Sequence, residues 1–250
     1  MTAVSVDLAY KSYSDFGVAI LEPLEVGVRC EFLELTKRGG SVDPAPAAVA
    51  EYCIELCEKH SANLLLLDGP QAWKDPDNGL EHSRVCERLL NTPAKTGVPG
   101  HVKPRNYAPF VIFSITVFDE LAQRGWPRLD PQARGPSGSP AAIESFPLGA
   151  WRALGIPVLP AKRRASVTDV RSRFQTLCDT HLLRASAEPN HDQLQALVAG
   201  LAGVALEQRR NDAFAAVGVA PRVRDGVWRE GYILNPAQPW QPVAASPKHP

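Results

Sequence analysis

The most apolar stretch of the chain, residues 63–67, reads Asn-Leu-Leu-Leu-Leu and stops on Asp68-Gly69-Pro70. A continuous apolar run of that length, closed by turn residues, is the pattern of a strand buried on both faces and paired in parallel. A second apolar run, 3–9, is rich in Val and carries one acid, Asp7. The turn around Ser12, Ser14 and Asp15 leads to a strand predicted over 17–21, and Glu22-Pro23 leads to a third over 27–35. Connections this short predict an antiparallel meander. Asp43-Pro44 is a cap and first-turn signal for an amphipathic helix over 44–59. Residues 71–105 read as a loop with a short helix over 83–90, and 110–124 read as a helix despite their β-branched content. Residues 125–140, rich in Pro, Gly and Ser, predict an exposed loop. Another short strand is predicted over 141–146, then helices over 147–154, 166–183 and 190–208, and a last strand or hairpin over 227–234.

That order predicts one α/β domain over 1–235, with a mixed five-stranded sheet, its first three strands antiparallel, flanked by helices. No internal repeat is present. The remainder, 236–250, has five prolines and is expected to be a disordered tail.

Composition narrows the function classes. Lys plus Arg and Asp plus Glu both total 27, a balance that argues against gripping long nucleic acid by bulk charge, while leaving room for a local basic face. No apolar run approaches the ~18 residues of a membrane span, and the first residues lack the basic and apolar regions of a signal peptide. A cytoplasmic address without membrane association is the expectation. The five cysteines (30, 53, 57, 86 and 178) have no disulfide-framework or zinc-ligand spacing, and read as buried thiols.

Candidate chemistry lies in the acids. Asp7 and Asp68 each stand at or near the exit of a very apolar strand. A buried, unpaired carboxylate costs several kcal/mol, so such acids need a partner or a metal ion. If the two strands are adjacent, the acids converge at the carboxyl edge of the sheet, where open α/β folds bind ligands. Asp192, near the start of the last long helix, and Glu144, at the end of the later strand, complete the candidate cluster. Three or four acids together would bind Mg²⁺ or Mn²⁺ through hard oxygen ligands and support phosphodiester cleavage. Each acid also has a plain structural use. An Asp after a strand forms turns or caps, Asp192 suits a helix first turn, and Glu144 can hold a loop by a salt bridge.

Six segments, in chain order, carry a family resemblance. Val4-Ser5-Val6-Asp7-Leu8-Ala9 resembles the opening strand of the predicted ribonuclease H-like nucleases in domain-of-unknown-function family 429. Leu67-Asp68-Gly69-Pro70 is similar to their second motif, an apolar strand ending in D-x-P, and Ser83 to Arg88 to the Arg-rich segment that follows it. Glu144-Ser145-Phe146-Pro147 resembles their E-x-x-P segment, the helix start at His191-Asp192 their acidic helix motif, and Gly231 to Pro236 their terminal motif. The resemblance implies a ribonuclease H-like fold and a metal-dependent nuclease. Asp7, Asp68 and Asp192 would hold the ion, with Glu144 assisting. The chain departs from the pattern where Gln195 replaces a second helix acid and His191 replaces the first acid of the leading pair.

Nucleic acid is the expected partner. Arg84 and Arg88 are the expected phosphate contacts, on a basic stretch with Lys95, Lys103 and Arg105, interleaved with His82, His101 and Tyr107. Lys162-Arg163-Arg164, with Arg171 and Arg173, form a second basic cluster. Charge runs of this kind also serve as plain solvated surface, and Trp73 and Trp151 can stack on bases or merely pack. A sugar-kinase-like ATPase would need Gly soon after the first Asp, and here the first is Gly17. Walker, G-x-G-x-x-G and G-x-S-x-G patterns are absent. The alternative to a nuclease is a catalytically weak or inactive ribonuclease H-like module with a binding or regulatory role, which Gln195 and the neutral charge favour.

Overall fold

A computed structural model describes residues 1–35, 43–134 and 138–237. The expected disordered tail lies, from residue 238 on, outside the described residues. The strands are β1 (Thr2–Asp7), β2 (Gly17–Pro23), β3 (Val28–Leu33), β4 (Ala62–Asp68), β5 (Lys95–Thr96), β6 (Val102–Lys103), β7 (Ala141–Ser145), β8 (Leu183–Ala185), β9 (Phe214–Arg224) and β10 (Val227–Pro236). The helices are α1 (Pro46–Lys59), α2 (Val85–Leu90), α3 (Ala108–Gln123), α4 (Pro147–Ala153), α5 (Val167–His181) and α6 (His191–Glu207).

The main sheet runs β8-β3-β2-β1-β4-β7-β10-β9. Antiparallel pairing joins β3 to β2 and β2 to β1, and parallel pairing joins β1 to β4 and β4 to β7. Those five strands are the ribonuclease H-like core, the first three antiparallel as predicted. The expected five-stranded sheet is nevertheless too small. Eight strands are present, because β8 adds to β3 in parallel and a β10–β9 hairpin adds beyond β7. β8 has only three residues, too few for a period, and β9 contains Gly218 and Pro221, which a sequence pattern reads as breakers. Proline is tolerated there because β9 is an outer strand, with a free edge that needs no donor.

Strand alternation divides the core in two. Ala3, Leu64, Leu66, Ile143 and Leu234 pack against Leu194, Leu197, Val198 and Leu201 of α6. Val4, Val6, Leu65, Leu67 and Ala142 face the other way, toward Cys53 and Cys57 of α1 and Val117, Phe118 and Leu121 of α3. Buried along nearly its whole length, α6 is apolar on all sides, as a helix sandwiched in a core must be. Its first turn is set by Gly17. A Cβ on that residue would lie 2.0 Å from the backbone carbonyl of Asp192, so only glycine lets α6 begin so close to the sheet edge.

Candidate active site

The register of three neighbouring strands builds the site. Asp7 pairs with Asp68 across β1 and β4, and Asp68 pairs with Ser145 across β4 and β7. All three continue the row of side chains that faces α6. In parallel strands, level positions on one face put side chains side by side, so the carboxyl groups of Asp7 and Asp68 meet within hydrogen-bonding reach. Burial, then the charges of Asp68 and Asp192, hold Asp7 well above the usual carboxylate range. Burial raises Asp68 to about 7. The pair therefore keeps a proton near neutral pH, the signature of two acids placed together without enough positive charge to neutralise them.

Asp192 joins them from the first turn of α6, whose Asn190 cap accepts from the Gln193 backbone at 2.9 Å. Asp7 pairs with Gly17 in the β1–β2 ladder, and Gly17 in turn contacts Asp192, so one glycine links the strand acid to the helix acid. Asp192 is already served. Lys162 Nζ donates to Asp192 Oδ2 at 2.5 Å and to Asp15 Oδ1 at 2.7 Å, and His191 Nδ1 lies 2.9 Å from Asp192 Oδ1. Burial works against ionisation, but the hydrogen bonds from His191 and Lys162 outweigh it and hold Asp192 below its ordinary range. Gln195 accepts from the indole N–H of Trp151 at 2.7 Å, fastening α4 to α6.

Glu144 and Arg84 take a different place from the one expected. Glu144 lies one residue out of phase with Ser145, so its side chain emerges on the opposite face from Asp7 and Asp68. There it receives Arg84 Nη1 at 2.6 Å, Arg84 Nη2 at 2.8 Å and the Gln71 N–H at 3.0 Å. Arg84 also binds Glu87 through Nε and Nη2 at 3.0 Å, and is 0% exposed. Its fork is saturated, so it has no surface to offer a phosphate; the salt-bridge use of Glu144 is the one observed. Lys95 is turned inward onto the Glu87 and Thr92 carbonyls. Arg88, Lys103 and Arg105 remain exposed. In the second basic cluster Arg171 is spent on Glu188 and Arg173 on Asp169, whereas Lys162 reaches the acids.

The donor set suits one hard divalent cation and falls short of two. Asp7 and Asp68 offer adjacent carboxyl oxygens that now compete for a proton, and a cation would supply the missing charge. The third and fourth positions are committed, Asp192 to Lys162 and His191, and Gln195 to Trp151. Among the described residues, no group of three or more His, Cys, Asp or Glu side chains stands close enough together to hold a metal ion. Also among the described residues, no helix is long and apolar enough to cross a membrane.

Sequence reading missed Gly17, Ser145 and the role of Lys162. Gly17 had a usable signal, since a hairpin from Asp7 to residue 17 brings both to one end of the sheet. The basic run marks Lys162, but nothing in it points to the acids it meets, which lie 30 and 147 positions away.

No family model and no curated protein matches the chain. The resemblance to family 429 therefore carries no further than the fold. Among solved structures, the chain is similar to Thermus thermophilus RuvC, with 12% identity and a TM-score of 0.42. It is also similar to T. thermophilus RuvC in complex with a Holliday junction substrate, with 13% identity and a TM-score of 0.39. Both cover 84% of this chain and 96% of the other. The fold assignment rests on strand order and direction: an antiparallel β3-β2-β1 meander extended in parallel by β4 and β7, the ribonuclease H-like arrangement.

Proposed function

We propose that the chain is a metal-dependent phosphodiesterase acting on nucleic acid, built around one divalent cation, Mg²⁺ or Mn²⁺, held by Asp7 and Asp68. The observation that carries this reading is the in-register acid pair at the carboxyl edge, retaining a proton near neutral pH. Carboxylates are not crowded together in this way without cost, and the usual return is charge held ready for a cation. Bound there, a divalent cation supplies the nucleophile activation and charge stabilisation of phosphodiester hydrolysis.

The chain's own residues divide the remaining work. Asp192 orients polar groups at the rim, while Lys162 offsets its charge and presents an ammonium to an approaching phosphate. Arg88, exposed on α2, contacts the backbone of the nucleic acid. Arg84 and Glu144 act as scaffold, locking the end of β7 to the segment after β4.

A second reading, a ribonuclease H-like module that binds without cleaving, draws on the commitment of Asp192 and Gln195 to neighbours. Calorimetric titration with Mn²⁺ separates the two. Saturable binding that disappears in Asp7→Asn supports the metal site. A well-folded native chain that takes up no Mn²⁺ refutes it and leaves the binding module.

A further inference from the structure

A cleft of about 160 Å³ opens beside Asp68, which forms part of its lining. Its walls include Tyr107, Phe110, Phe146, Pro93 and Ser145, while the buried Arg84–Glu87–Glu144 cluster forms part of its lining. We infer that this cleft receives a single unpaired pyrimidine base of the nucleic acid whose backbone lies at Asp7 and Asp68, an inference that rests on the nuclease reading above.

Size, lining and charge point to that occupant together. A cavity of roughly 150 Å³ holds one benzene ring, and ordinary ligand pockets run to roughly 300–1,000 Å³. The cleft therefore suits one six-membered ring better than a fused purine. Three aromatic side chains give a flat ring surfaces to stack on, and stacking is the sequence-tolerant way to hold an unpaired base. The charged groups of the lining are spent on one another, and Asp68 adds negative character, so a phosphate is disfavoured and a neutral ring accepted.

Outside the cleft the cations fit a backbone path. Lys103 and Arg105 stand four and two residues before Tyr107, and both are exposed, as is Arg88. A base can enter beside Asp68 only after leaving its stack, so the substrate is single-stranded or locally unpaired nucleic acid rather than continuous duplex.

The test is fluorescence anisotropy of the full chain with short labelled oligothymidylate and oligodeoxyadenylate, both single-stranded, in the presence of a chelator. Oligothymidylate is expected to bind more tightly. Tyr107→Ala should weaken it by roughly 5- to 150-fold, the range that loss of one base–aromatic stack gives, and Tyr107→Phe should retain it. Equal binding of both, or a folded Tyr107→Ala chain indistinguishable from the native one, overturns the inference. Mn²⁺ calorimetry on the same preparations keeps the two proposals apart. Mn²⁺ binding without a thymidylate preference removes the base cleft alone. A Tyr107-dependent preference without Mn²⁺ binding upholds the cleft and removes the metal site.

Discussion

Replacing Asp7 by Asn should make the metal-free protein increasingly more stable than the native chain as the pH rises from about 5 to about 7. In the native fold Asp7 is held well above its ordinary range and Asp68 is raised to about 7, in both cases by burial first. The unfolded chain releases these protons near pH ~3.9. A carboxyl that binds its proton more tightly when folded stabilises the fold fully below its unfolded pKa. It loses that contribution as the pH climbs through the folded value. Each proton retained costs about 1.4 kcal/mol per pH unit, so one proton kept across two units removes ~3 kcal/mol. Both carboxyls are only half-buried, and solvent screening reduces the expected change to ~1–2 kcal/mol. Asn at position 7 carries no such proton. His181, lowered by burial to about 4, works in the opposite direction over the acid part of this range, but it is common to both chains and cancels in the difference. Urea denaturation in a chelator at several pH values measures that difference, from the midpoint at unchanged slope. A difference that stays flat with pH, or that moves in favour of the native chain, refutes the shared-proton account.

Three further outcomes follow from particular contacts. Glu144→Gln should cost ~3–5 kcal/mol in thermal or urea denaturation, because it leaves the fully buried Arg84 with one charged partner fewer; a stability loss below ~1 kcal/mol would show that the cluster is not scaffold. Gly17→Ala should lower stability by ~1–3 kcal/mol, because its Cβ meets the Asp192 backbone at 2.0 Å; it should also weaken Mn²⁺ uptake by displacing the start of α6, and an unchanged titration would refute the link. Lys162→Met should tighten Mn²⁺ binding by roughly two- to five-fold in calorimetry, the scale of a half-exposed ion pair, by releasing Asp192; weaker binding would assign Lys162 to building the site.

Much of the core sheet is legible in the amino-acid pattern alone. Four leucines in a row, closed by Asp68-Gly69-Pro70, carry the pattern of a strand buried on both faces, and the Val-rich strand ending on Asp7 pairs with it in parallel. Short turns between the first three strands leave few options besides a meander, which is what β1 to β3 form. These are local signals, written in periodicity and turn chemistry. Of the added strands, β10 answers to the strand or hairpin predicted over 227–234, whereas β8 is too short to show a period and β9 carries a glycine and a proline that only a free edge excuses.

The site divides along the same line. Acid positions could be picked out because a carboxylate ending an apolar strand is costly wherever it occurs, but which acids share a face depends on register. A single residue of phase sends Ser145 toward Asp68 and Glu144 to the far side of the sheet, where Arg84 neutralises it. Whether a cation is free to meet a phosphate is likewise a matter of packing. Arg84 and Arg88 look alike in sequence, yet one is buried in a saturated ion cluster and the other stands in solvent. Lys162 comes to the acids across long stretches of chain, and Gly17 matters because a helix from the far end of the sequence begins against it. Composition and periodicity report what each residue would require if buried, and only the assembled fold decides which neighbour meets that requirement.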